Sequence, residues 1–223
     1  LSEIRTSLPD PLDHEELLAR QDEEFDWPVI DETSAYSACY TTGTTGRPKG
    51  VFYSHRGIVL HTMMWAADQA VGDHDNVLLT TPMFHAQCWG LPQVAVYARA
   101  RVILPGRYSV EEIGVLAQAM VDYEVTVTNG APAIFGPMLE YLRSLPEPPD
   151  LSRARMISGS TEPPLSLIKG YHELTGASIV HGYGATETTP LVTSNRPKPS
   201  LADRLDEREL WDLKRFQGLP GAG

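Results

Sequence analysis

From residue 35 onward the apolar positions keep changing period. Short β-branched and aromatic runs that suit strands alternate with stretches spaced at three and four that suit helices. Strand patterns fall at 35–40, 51–53, 77–80, 101–104, 125–128, 154–158 and 178–181. Helical patterns run from 54 to about 70, over 91–98, to about 123, from just after Pro132 to before the Pro146-Glu147-Pro148-Pro149 loop, and over 165–175. Ser54 is placed to cap the first helix, and Ser109 with Glu112 forms a capping box for the third. No internal repeat interrupts the series. Regular alternation of this kind predicts an α/β fold, a largely parallel β-sheet with helices on both faces. In such sheets ligands gather beyond the carboxyl ends of the strands. The loops after Thr80, Thr128, Ser158 and His181, with one polar loop after Tyr40, are therefore the ones expected to carry chemistry.

The first 33 residues do not share the pattern. A short helix is expected at 13–24, followed by Trp27-Pro28 and more acid, with little apolar content to bury. Residues 1–32 carry 11 acidic and 2 basic side chains, so most of the net charge of −11 sits there. This part reads as an acidic, partly disordered lead-in, 1–33, to a core at 34–223. The whole chain, 42% hydrophobic and 21% charged over 223 residues, has ordinary globular composition and length for one large domain or two small ones. It carries no basic footprint for nucleic acid. No apolar run has membrane-spanning length, and the acidic N-terminus is unlike a signal peptide, so a cytoplasmic location is expected. Cys39 and Cys88 lack metal-ligand spacing and are expected to be buried free thiols.

The polar loop reads Thr41-Thr42-Gly43-Thr44-Thr45-Gly46-Arg47-Pro48-Lys49-Gly50-Val51, with four Thr, three Gly and one Lys in eleven residues. Glycine permits positive φ and close backbone approach, consecutive turn amides make an anion-binding concavity, Thr adds hydroxyl donors and Lys a cation. These are the parts of a phosphate cradle. Gly46 is followed by Arg47-Pro48-Lys49, without the Gly-Lys-Ser/Thr ending of the mononucleotide P-loop, which disfavours a P-loop NTPase.

Other loops add to this. In His181-Gly182-Tyr183-Gly184-Ala185-Thr186-Glu187 the Tyr183 ring is suited to stack on a purine and the Glu187 carboxylate to hold Mg²⁺. Pro82-Met83-Phe84-His85-Ala86-Gln87-Cys88-Trp89-Gly90 sets an aromatic, a His and a Trp beside a Gly at a strand end.

The polar loop resembles the signature of the adenylate-forming enzymes, and Tyr183-Gly184-Ala185-Thr186-Glu187 matches their Tyr-Gly-x-Thr-Glu motif. The resemblance implies that Thr41, Thr42, Gly43, Thr44, Thr45, Gly46 and Lys49 hold the β and γ phosphates of ATP. It places His181, Gly182, Tyr183, Gly184 and Thr186 on the nucleotide, and Glu187 with Thr44 on magnesium. Ser158-Gly159-Ser160-Thr161-Glu162-Pro163 resembles the other wall of the adenine slot; Glu162 departs from the small apolar residue usual there and either bonds a purine amino group or, preferably, faces solvent. The His85 segment is similar to that of medium- and long-chain fatty acyl-CoA synthetases, which implies His85 beside the substrate carboxylate and Trp89 gating the acyl tunnel. Amino-acid-activating relatives carry an Asp just after the Phe, where this chain has His85-Ala86. Residues 125–132, including Gly130 and Ala131, resemble the acyl-pocket lining; Asn129 either shapes that pocket or serves a strand-to-helix turn.

What the resemblance implies is ATP-dependent acyl-CoA synthesis through acyl-AMP, with CoA as co-substrate, a fatty or other carboxylic acid as substrate, and Lys49, Thr186, Glu187 and His85 in catalytic roles. It covers residues 35–223, ahead of the family's ribose-binding segment and C-terminal lid with its catalytic Lys, so the chain reads as a central, incomplete piece, with homodimerisation an expectation for the parent only. Another adenylate former such as an aryl-CoA ligase, or a non-catalytic ATP- or acyl-binding module, stays open.

Overall fold

The structure is a computed structural model that describes residues 12–42, 46–109 and 111–221. The chain divides into two compact units, 1–31 and 32–223. In the first, helix α1 (His14–Ala19) opens where the Asp13 side chain accepts the Glu16 amide at 3.0 Å. It ends well short of the expected 13–24, because none of its residues is buried and a single turn and a half has no packing to extend it.

The second unit begins with an antiparallel hairpin of β1 (Ala35–Thr41) and β2 (Lys49–Ser54). Strand β2 starts two residues before the expected position, so Lys49 and Gly50 belong to the hairpin, opposite Thr41 and Tyr40. Ser54 caps α2 (His55–Gln69) as expected, its hydroxyl accepting the Gly57 amide at 3.0 Å. There follow β3 (Asn76–Leu78), a four-residue turn α3 (Ala86–Trp89), α4 (Leu91–Tyr97), β4 (Arg101–Ile103), α5 (Gly114–Asp122), β5 (Val127–Gly130), α6 (Pro132–Ser144), β6 (Arg155–Ser158), α7 (Leu165–Thr175) and β7 (Ser178–Gly184). A 3₁₀ turn at Thr186–Thr188 leads into β8 (Leu191–Ser194), α8 (Pro199–Ala202), α9 (Glu207–Leu213) and β9 (Leu219–Pro220).

Seven strands form one sheet in the order β4-β3-β5-β6-β7-β8-β9. The first five are parallel, and β8 and β9 close the other edge antiparallel. Strand pleating sends neighbouring residues to opposite faces. Leu78 and Met156 accordingly pack with Leu116, Phe135, Met138 and Tyr171 of α5, α6 and α7, whereas Val77 and Ile157 pack with Trp65 and Val94 of α2 and α4. Helices thus cover both faces, as the alternation predicts. The fully buried Tyr171 hydroxyl donates to the Phe135 carbonyl at 2.8 Å, so α7 brings no unpaired phenol into the core.

Several boundaries differ from expectation. The Ser109 hydroxyl contacts the Glu112 carboxylate at 3.4 Å and does not cap a helix, and α5 begins only at Gly114. Strand β5 lies two residues later than expected, because the Val125 amide is taken by the Met120 carbonyl at the end of α5. Strand β7 runs three residues beyond His181, since β8 pairs with Gly182, Tyr183 and Gly184. Segment α3 is left-handed: Ala86, Gln87, Cys88 and Trp89 have φ of 44, 54, 54 and 58°.

Candidate active site

Three segments meet at a cavity of about 260 Å³ beyond the carboxyl ends of the central strands. His85, Ala86 and Trp89 come from the left-handed turn, Gly159 and Ser160 from the end of β6, and Gly182 to Thr186 from β7 and its exit. Pro190 and Leu191 complete the wall from β8.

The glycines are there because the walls touch. A Cβ on Gly159 would sit 3.0 Å from the Gly182 carbonyl oxygen and 3.5 Å from the Trp89 ring. A Cβ on Gly184 would lie 2.0 Å from the Pro190 carbonyl oxygen, which no backbone shift within the β7–β8 hairpin could absorb cheaply. Ser160, φ +67°, turns the chain out of β6 in the left-handed region. The Trp89 indole is buried at 8% exposure, and the exposed His85 ring stands edge-on to it with centroids 6.5 Å apart. Tyr183, half-exposed, lines the cavity in the β-strand.

The left-handed turn is held from several sides. The Asn129 amide donates to the Cys88 carbonyl at 2.7 Å, and Gln87 donates to the Ser37 hydroxyl. Gly90, φ +76°, leaves room for the buried His61 ring, whose Cε1 a Cβ would meet at 2.8 Å. His61 Nε2 accepts the Leu191 amide at 3.1 Å, and burial holds the ring neutral, with its pKa lowered to about 4.

The other expected site residues are placed as follows. Gly43, Thr44 and Thr45 lie outside the described residues. Thr41 is half-buried, while Thr42, Gly46 and Lys49 are exposed on the hairpin. Glu187 and Thr161 are exposed, and neither Lys49 nor Glu187 makes a salt bridge among the described residues. His181 is buried and turned from the cavity, its Nδ1 bonded to the Arg215 carbonyl at 2.9 Å. Gly130 and Ala131 do not line the cavity; a Cβ on Gly130 would strike the Phe135 ring at 2.9 Å, so its small size serves packing between β5 and α6. Glu162 faces solvent, as preferred, beside Arg215 at 3.4 Å. Asn129 is fully buried in β5 and serves the left-handed turn rather than a strand-to-helix turn or the cavity wall. Cys39 and Cys88 are buried free thiols, and burial pushes the Cys88 thiol up to about 11.

Sequence reasoning missed Pro190 and Leu191, although the β-branched and apolar Leu191-Val192-Thr193 run is a usable strand signal. It also missed Tyr53, whose hydroxyl donates to the Thr186 carbonyl at 2.7 Å. A tyrosine in a strand carries no sequence mark of such a link.

Among the described residues no group of three or more His, Cys, Asp or Glu could hold a metal by itself, and no helix is long and apolar enough to cross a membrane. A lone exposed carboxylate suits Mg²⁺, which takes one or two carboxylates and completes its shell with phosphate oxygens and water.

A mostly parallel α/β sheet with a small glycine-walled cavity at its strand ends places the chain in the open-sheet α/β class, whose ligands gather at that position. Residues 2–220 match the family described as AMP-binding enzyme, and the chain belongs to that family. It is similar to a medium-chain-fatty-acid–CoA ligase of Ectopseudomonas oleovorans, 33% identical over all of this chain and 40% of that protein. A long-chain-fatty-acid–CoA ligase of Thermus thermophilus is 38% identical over 89% of this chain and 36% of its own length. The fold matches a long-chain-fatty-acid-CoA ligase from Archaeoglobus fulgidus with a TM-score of 0.76 at 22% identity, over 93% of this chain and 40% of the other. The chain therefore spans about 40% of the length of such relatives.

Proposed function

We propose that this chain is the nucleotide- and acyl-binding core of an ATP-dependent fatty acyl-CoA synthetase acting in the cytoplasm. The observation that carries this is the convergence of Trp89, Gly159 and Tyr183 on one cavity, in a chain whose relatives are named for fatty acid–CoA ligation.

In this reading a substrate carboxylate oxygen attacks the α-phosphorus of ATP, the bond to pyrophosphate breaks, and acyl-AMP forms. The thiol of CoA then attacks the acyl carbonyl, loses its proton, and AMP departs. The hairpin backbone and Lys49 face the β and γ phosphates, Tyr183 packs on the adenine, and His85 and Trp89 border the carboxylate and acyl chain. Glu187 would hold Mg²⁺, which supplies charge neutralisation at the phosphates when bound. The protein's contribution is positioning and electrostatics, since ATP brings the reactive bond. As an isolated 223-residue polypeptide the chain binds nucleotide without appreciable turnover.

Calorimetric titration with ATP and Mg²⁺ tests this against Lys49→Ala and Glu187→Ala, each checked for folding by circular dichroism. Binding by the wild type that is weakened about tenfold or more in both variants is expected; unchanged affinity in both overturns the assignment.

A further inference from the structure

Among the described residues, one cross-strand pair of the β1–β2 hairpin hydrogen-bonds to two of the segments that form the cavity. Ser37 and Tyr53 stand opposite each other in register. The Ser37 hydroxyl accepts from Gln87, in the turn that carries Trp89, and the Tyr53 hydroxyl donates to Thr186, the residue before Glu187. Tyr53 is 5% exposed, its ring packed with Cys39 and Ile58, so its position on the hairpin is fixed by burial. Lys49, Val51 and Tyr53 alternate along β2 and share one face of the strand. Lys49 stands about 13 Å along that face from Tyr53 at the rise of a β-strand. The same strand that presents Lys49 is thus pinned, through the Tyr53 phenolic hydrogen bond, to the backbone that presents Glu187.

We propose that Tyr53 is a positioning residue that sets the Glu187 turn in register with the Lys49 hairpin, so that both charges meet one polyphosphate. The assignment rests on the nucleotide reading above. Tyr53 touches no substrate; it acts through the Thr186 carbonyl. A ligand with only an α-phosphate does not reach across the two elements and is indifferent to this link, whereas MgATP spans them.

The test uses the 223-residue chain, with MgATP and AMP titrated separately into wild type, Tyr53→Phe and Ser37→Ala. Tyr53→Phe keeps the buried ring and removes only the donor. It is expected to weaken MgATP about fivefold while AMP affinity stays within about twofold of wild type, the size of one intramolecular hydrogen bond. Ser37→Ala, which removes the other link of the same pair, is expected to leave the ratio of the two affinities unchanged. Equal MgATP affinity in Tyr53→Phe and wild type overturns the proposal. So does an equal loss for both ligands, or the same ratio change in Ser37→Ala, because either marks general loosening of the hairpin. Folded wild-type protein that binds neither nucleotide overturns the nucleotide reading, and this assignment with it.

Discussion

The Asn129 side-chain amide donates to the Cys88 carbonyl at 2.7 Å, and neither residue is exposed to solvent. This bond holds a backbone stretch that L-residues resist: a left-handed conformation costs roughly 1–2 kcal/mol per residue, and Ala86 to Trp89 supply four in succession. The turn persists because its surroundings over-determine it, and it presents Trp89 to the cavity.

Replacing Asn129 with Ala leaves the buried Cys88 carbonyl without its donor and opens a small void. Destabilisation of about 2–3 kcal/mol is expected, measured as a lowered urea midpoint. A variant as stable as wild type would show that the turn needs no such anchor.

His61 gives the protein a pH signature in mild acid. Burial lowers its pKa from 6.5 to about 4. Between those values the unfolded chain binds the proton and the folded chain does not, so stability falls as pH drops from 6.5 towards 4 and this contribution levels off below. The loss approaches about 3 kcal/mol at one proton over that interval. Denaturation curves across this range should show the slope in wild type and a shallower one in His61→Gln.

A second window lies in stronger acid. Burial opposes ionisation of Asp75, but the Thr126 hydroxyl, the Gly72 amide and the Arg155 guanidinium outweigh it and hold its pKa below 3.8. Stability from this cluster is present above that value and lost as pH falls through the lower folded pKa. Arg155 also donates to the Gln69 and Ala70 carbonyls, tying the end of α2 to the starts of β3 and β6. Arg155→Ala strands the buried carboxylate and is expected to cost about 3 kcal/mol or more at neutral pH, read by denaturant unfolding.

The architecture was legible where apolar periodicity is set by the core. Helix α7 has the expected bounds, and the strands from β3 to β7 fall within two residues of their expected starts, because each buries side chains on a defined sheet face. Burial of one face does not reveal backbone hand or partner choice. Ala86-Gln87-Cys88-Trp89 contains no glycine, so nothing local marks a left-handed turn; Asn129, 40 positions later than Trp89, makes it tenable. The Tyr183 segment reads as a loop because glycines flank it, and only pairing with β8 makes it strand. Of the cavity, the motif residues Trp89, Gly159, Tyr183 and Thr186 were legible as types of chemistry, while Pro190 and Leu191 reach the wall through the β7–β8 pairing, and Tyr53, outside the wall, reaches Thr186 by a tertiary contact.

Gly159→Ala separates shape from folding. The added methyl lies 3.0 Å from the Gly182 carbonyl oxygen, tight enough to push the β6 exit towards the Trp89 ring. The expected result is a loss of about 1 kcal/mol of stability with at least a tenfold loss of adenylate-analogue affinity, about 1.4 kcal/mol. Calorimetry and thermal unfolding on the same sample check both halves; undiminished affinity would remove Gly159 from the binding wall.

In the proposed function, the cavity between the left-handed turn and the ends of β6 and β7 binds an acyl-adenylate. The most direct measurement is backbone and indole NMR of labelled protein titrated with a non-hydrolysable fatty acyl-adenylate analogue. Shifts concentrated at Gly159, Ser160, Gly182, Gly184 and the Trp89 indole are predicted. Shifts confined instead to the apolar groove of Ile58, Val59 and Val96 between α2 and α4, or none at all, would contradict acyl-adenylate binding in this cavity.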